Sequence, residues 1–172
     1  MKPNREVSET IPLRRRQVLA GLGRAGVATA ISAAFPGEAQ AAAKDEAEAL
    51  VAKFMATFSA GGNTDEIVGL FSPDALFWGT AMADLGTDTE AIRRYFMNNF
   101  AGRPATGVRA TAVTTSTIVL SETAVVIAGR WQTERADRPQ PNALRYTFVL
   151  NKRGDRWFIA NLHSSTRPTT AA

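Results

Sequence analysis

The chain carries one histidine, His163, and no cysteine. Those two counts already exclude a good deal of chemistry. There is no thiolate nucleophile, no disulfide and no cysteine-ligated metal, and a histidine-rich metal site cannot be assembled. What remains is a polar cluster at the end of the chain. Asn161 stands two residues before His163, and Ser164, Ser165 and Thr166 follow it. A neutral imidazole donates from one nitrogen and accepts at the other, so this stretch suits the binding of a polar or anionic molecule. Arg130 and Arg145 fall in two successive candidate strands. Guanidinium pairs carboxylates through a bidentate fork and stays charged when partly buried. With Trp78 and the phenol donor Tyr95, the candidate ligand-binding set is His163, Asn161, Arg145, Trp78, Tyr95 and Arg130. Each also admits a plainer role. His163 fits a satisfied, half-buried histidine, the arginines fit solvent-facing stems that cover a sheet, and Trp78 and Trp131 fit core packing.

Proton transfer needs more. It requires a carboxylate of raised pKa beside an oxyanion donor such as a tyrosine. Tyr95 and Tyr146 are possible donors, and Asp84, Asp88, Glu122 and Glu134 are the carboxylates to consider. Asp88 and Glu122 sit at a cap or a turn, and Glu134 adjoins Arg135. None reads as a buried base. No catalytic residue is singled out, and no metal or cofactor is expected.

The elements that must position these residues follow from periodicity. Ala47, Leu50, Val51, Phe54, Met55 and Phe58 recur at helical spacing across Asp45–Ser59, and Gly61-Gly62 ends that helix. Asn63 or Thr64 caps a short helix from Asp65 to Leu70. Ser72-Pro73-Asp74 reads as a turn, Ala75–Gly79 as a strand, and Thr87 or Asp88 as the cap of a third helix, Thr89–Phe100. Four strands follow, Val108–Leu120, Thr123–Glu134, Leu144–Lys152 and Arg156–Ser165. Their short connections predict antiparallel neighbours. Helices first and a meander afterwards is an α+β plan. Strict alternation in the last strand puts Trp157, Ile159, Asn161, His163 and Ser165 on one face, grading from apolar to polar. That grading predicts a strand that runs from a packed core into the mouth of a cavity.

The formal net charge of +4 over 172 residues suggests nucleic acid until the charges are located. Residues 1–41 hold six basic and three acidic groups, leaving fourteen basic and thirteen acidic for the rest. The remainder is near neutral and has no basic stripe for a phosphate backbone, so no nucleic acid is expected as a partner. The N-terminal excess has another reading. Arg14-Arg15-Arg16-Gln17-Val18-Leu19, a mildly apolar Gly- and Ala-rich stretch, and Ala39-Gln40-Ala41 occur in the order of an export signal with a peptidase site. We expect residues 1–41 to be a twin-arginine signal and 42–172 the mature domain, periplasmic or secreted. The middle of the signal is interrupted by Arg24 and is too short and polar for stable membrane insertion.

The order of elements, with Phe77-Trp78-Gly79-Thr80, Leu85–Phe96 and Trp157 to Pro168, resembles the nuclear transport factor 2-like superfamily, which includes SnoaL-like proteins and ketosteroid isomerase. The branch it resembles most is that of bacterial proteins similar to the association domain of calcium/calmodulin-dependent protein kinase II. The ending Trp157, Ile159, His163, Ser165, Pro168 carries that likeness. The resemblance implies a cone-shaped fold, with three N-terminal helices packed in a strongly curved antiparallel sheet. It implies a small-molecule cavity, or alternatively an oligomeric association module, or a proton-transfer enzyme of the ketosteroid isomerase kind. It also implies a homo-oligomer, at least a dimer, through the outer face of the sheet. Kinase activity is not implied, because the chain has no room for a kinase domain. Many relatives carry a second histidine where this chain has Asn161, so paired-histidine chemistry is not implied either.

Overall fold

The structure, a computed structural model, describes residues 36–103, 107–138 and 140–168. The elements are α1 (Pro36–Ala60), α2 (Thr64–Val68), β1 (Phe71–Trp78), α3 (Thr89–Ala101), β2 (Val108–Ser121), β3 (Ala124–Arg135), β4 (Asn142–Arg153) and β5 (Arg156–Thr166). The stripe Ala43, Ala47, Val51, Phe54, Met55 and Phe58 buries one side of α1. The helix stops where Gly61 turns to φ 64° and returns its amide to the Thr57 carbonyl at 3.1 Å. Asn63 caps α2 through the Glu66 amide at 3.0 Å, and Asp88 caps α3 through the Ala91 amide at 2.7 Å. The twin-arginine run lies outside the described residues. Ala39-Gln40-Ala41 falls in the first turns of α1, ahead of the first core residue, Ala43.

The five strands form one curved, open sheet in the order β1-β5-β4-β3-β2. The meander is antiparallel as expected, but β1 joins β5 in parallel. The expected turn Ser72-Pro73-Asp74 is instead part of β1. An edge strand tolerates a proline that cannot donate to the ladder, and the register slips between Phe71 and Leu76 around it. Phe54 is the hub of the core. Its ring lies 5.2–6.2 Å from those of Phe58, Phe71, Phe96 and Phe148, mostly edge to face. The interior of the cone is therefore walled by aromatic rings.

The last strand departs from strict alternation. Val149 opposes Asn161, but Leu150 opposes Ile159, so Ala160 is an extra residue and β5 carries a bulge. A one-residue insertion moves every later side chain to the other face. Trp157 and Ile159 point inward, and after the bulge Leu162 and Ser164 do so, while His163 is exposed. The expectation that His163 continues the inner face of Ile159 is corrected by that single residue.

Candidate functional site

The inner face converges on a small pocket between α1, α3 and the sheet. Phe54, Phe58, Phe77, Phe96 and Leu162 supply its apolar walls, and Gly79, Tyr95, Trp131 and Ser164 complete it. Its volume is about 20 Å³, room for about one water molecule. The polar contacts centre on Ser164. The Ser164 hydroxyl lies 2.8 Å from that of Thr80 and accepts the Trp131 indole N–H at 3.3 Å. Whichever hydroxyl donates within the Ser164–Thr80 pair, one O–H is left uncommitted by these bonds. Tyr95 closes the group from α3, its ring 4.8 Å from Phe77. A methyl group at Gly79 would stand 2.4 Å from that ring, so only glycine lets Tyr95 lie this close to the chain after β1. Burial raises the Tyr95 phenol above its ordinary value, against backbone hydrogen bonds from Thr80 and Ala81 that lower it. It is therefore a neutral donor at physiological pH.

Such a site can orient an acceptor such as a carbonyl oxygen on an apolar body. None of its lining residues is a carboxylate or a histidine. The carboxylates considered for proton transfer lie elsewhere. Asp84 and Glu122 are exposed, Asp88 is engaged as the α3 cap, and Glu134 holds Arg109 at 2.9 Å.

The other sequence-derived candidates meet on the opposite face of the sheet. Trp78 pairs with His163 across β1 and β5, with ring centroids 6.4 Å apart, and Asn161 lies opposite Leu76 and Val149. Arg130 and Arg145 are directly opposite one another, as their positions suggested. Thr114 and Ser165 extend them into a row across four strands. Arg130 reaches Thr114 at 3.3 Å, and the Ser165 hydroxyl is buried without a partner among the described residues. Of the six candidates, only Tyr95 reaches the interior. Trp78, expected in the core, is 44% exposed because it follows the inward Phe77 on an edge strand.

Residues 47–169 match the SnoaL-like domain. The chain belongs to that family. Among solved structures, a calcium/calmodulin-dependent protein kinase II association-domain-like protein from Xanthomonas campestris is 25% identical, with TM-score 0.64 over 73% of this chain and 88% of that one. A protein from Catenulispora acidiphila is also 25% identical, with TM-score 0.61 over 75% and 94%. A nuclear transport factor 2-like protein from Pseudomonas putida KT2440 shares the fold at 13% identity, with TM-score 0.66 over 73% and 87%. No curated protein matches the chain.

For a SnoaL-like domain, then, the residues that sequence reasoning missed are Ser164 and Thr80, and packing is only part of what Trp131 does. Trp131 does pack, at 5.4 Å from Phe58, but its indole N–H also fixes the Ser164 oxygen. The usable signal was the Phe77-Trp78-Gly79-Thr80 stretch, where glycine after two aromatics marks a close approach. Among the described residues no cluster is fit to hold a metal, and no helix is long and apolar enough to cross a membrane.

Proposed function

We propose that this protein is an exported small-molecule binder whose ligand enters the aromatic interior of the cone. The observation that carries the reading is the presence of Trp131, Ser164 and Tyr95 in the wall of an otherwise apolar pocket, with Thr80 bonded to Ser164 from outside it. Ligand sites of this kind are mostly apolar with a few polar groups that fix orientation. The ligand that fits is a single-ring apolar compound with one acceptor oxygen. A pocket of about 20 Å³ has room for about one water, so a ligand enters only as the pocket opens, and we infer that the half-buried Tyr95 on α3 is the wall that moves. The test is titration with acetophenone, read by tryptophan fluorescence. Ser164→Ala weakens binding about fivefold, the value of one hydrogen bond of roughly 1 kcal/mol, and His163→Ala leaves it unchanged. Loss of binding in His163→Ala with Ser164→Ala unaffected would overturn the reading.

Assembly is a second reading, favoured by the outer face. Leu76, Trp78, Ile118 and Leu120 are 42–61% exposed there. An apolar surface of that kind suits an interface. We infer a homodimer through that face, and an oligomeric association role remains compatible with ligand binding inside each cone.

A further inference from the structure

A groove of about 460 Å³ opens between the end of α1, the start of β2 and the end of β3, with Ser59, Val108, Arg109, Glu134 and Arg135 along its walls. Behind Ser59 lies Arg103. Its guanidinium donates to the carbonyl oxygens of Phe58 and Ser59 and to the Asn99 side chain, and it stacks 4.4 and 4.5 Å from the rings of Phe58 and Phe100. These contacts hold a cation at the negative end of α1. None of them is to a carboxylate, and the Arg103 Nε is buried with no partner among the described residues. The nearby acids are already engaged. One Glu134 oxygen takes both Arg109 bonds and the other takes Gln132, while Arg135 holds both oxygens of Asp137. Arg138 adds a further positive charge beside Asp137. Four guanidinium groups thus face two carboxylates. Burial, then the charge of Arg135, pushes Arg103 down to about 10. It remains protonated at neutral pH but in want of a counter-ion.

We propose that this groove binds a small organic anion, through a carboxylate or phosphate group, which Arg135 meets through the Nη1 edge that Asp137 leaves open and which balances the Arg103–Arg135 pair. The concavity is in the range of small-molecule sites, and a fork of guanidinium donors suits either oxyanion. The site is separate from the interior pocket, though Phe58 links the two: its ring lines the pocket and its carbonyl holds Arg103.

The experiment is thermal unfolding of the full chain with inorganic phosphate or acetate, against chloride at matched ionic strength. Either oxyanion raises Tm saturably above the chloride control, and the one with the lower half-saturation names the preferred group. Arg135→Gln abolishes the rise. Arg135→Lys, which keeps the charge and loses the fork, weakens it about tenfold, as for the loss of a charge-assisted bond. Arg94→Gln, on the exposed side of α3, keeps it. The proposal fails if both oxyanions act like chloride, or if Arg135→Gln and Arg135→Lys both retain the wild-type response.

Discussion

Ser164 and His163 are neighbours in sequence and lie on opposite faces of one strand. The assignment of the site turns on which of them points inward. His163 stands out as the only imidazole, whereas Ser164 is one hydroxyl in a polar stretch. Nothing in Ile159-Ala160-Asn161 announces a bulge, because neither glycine nor proline marks it. Strict alternation through this stretch therefore puts the polar residues on the wrong side. Arg130 and Arg145 show what sequence position could supply. Their adjacency was legible from the strand order, but their face was not. Two like charges directly opposite on neighbouring strands are destabilising, and neither is in an ion pair among the described residues. Arg145→Gln should hold stability within about 0.5 kcal/mol or raise it. A drop of several kcal/mol in denaturant unfolding would mean that the row has a structural role we have not assigned.

At the scale of elements, α1 is clasped to the sheet by two carboxylates. Glu46 accepts from Lys152 at 2.7 Å and from the Trp157 indole at 2.6 Å, and Glu48 accepts from Thr117 at 2.6 Å. The Lys152 bond first, and then that from Trp157, hold Glu46 below the ordinary glutamate value. The Thr117 bond does the same for Glu48. A group with a depressed folded-state pKa contributes stability above its unfolded value and loses it as pH falls through the folded one. The clasp should therefore hold at neutral pH and release in the acid range below the ordinary glutamate value. Glu46→Gln should lower Tm at pH 7 and flatten its acid dependence, and an unchanged acid profile would contradict the clasp. The helices and meander were legible because apolar spacing at 3.6 and at 2 residues is a local signal. The parallel β1–β5 pairing was not, since it joins segments about eighty residues apart, and Pro73 disguised the start of β1 as a turn.

For the whole molecule, two expectations concern what lies outside one folded chain. The open outer face predicts a dimer. Light scattering at micromolar concentration should give twice the mature mass, and Ile118→Lys should halve it with the fold retained. A monomer in both would remove the interface. Export is the second. The buried surface of α1 begins at Ala43, so cleavage after Ala41 costs the core nothing, although the first turns of the helix must open for the peptidase. Changing Arg15 and Arg16 to Lys should trap the precursor inside the cell, and undiminished export would refute a twin-arginine route.

The phase of β5 decides which side chain lines the pocket, and a sequence free of cysteine makes that phase directly measurable. Single variants His163→Cys and Ser164→Cys can be compared for their reaction with a thiol reagent under native conditions. The bulge at Ala160 predicts rapid labelling at 163 and protection at 164 until the protein unfolds. Protection at 163 with rapid labelling at 164 would return His163 to the interior and contradict the site described.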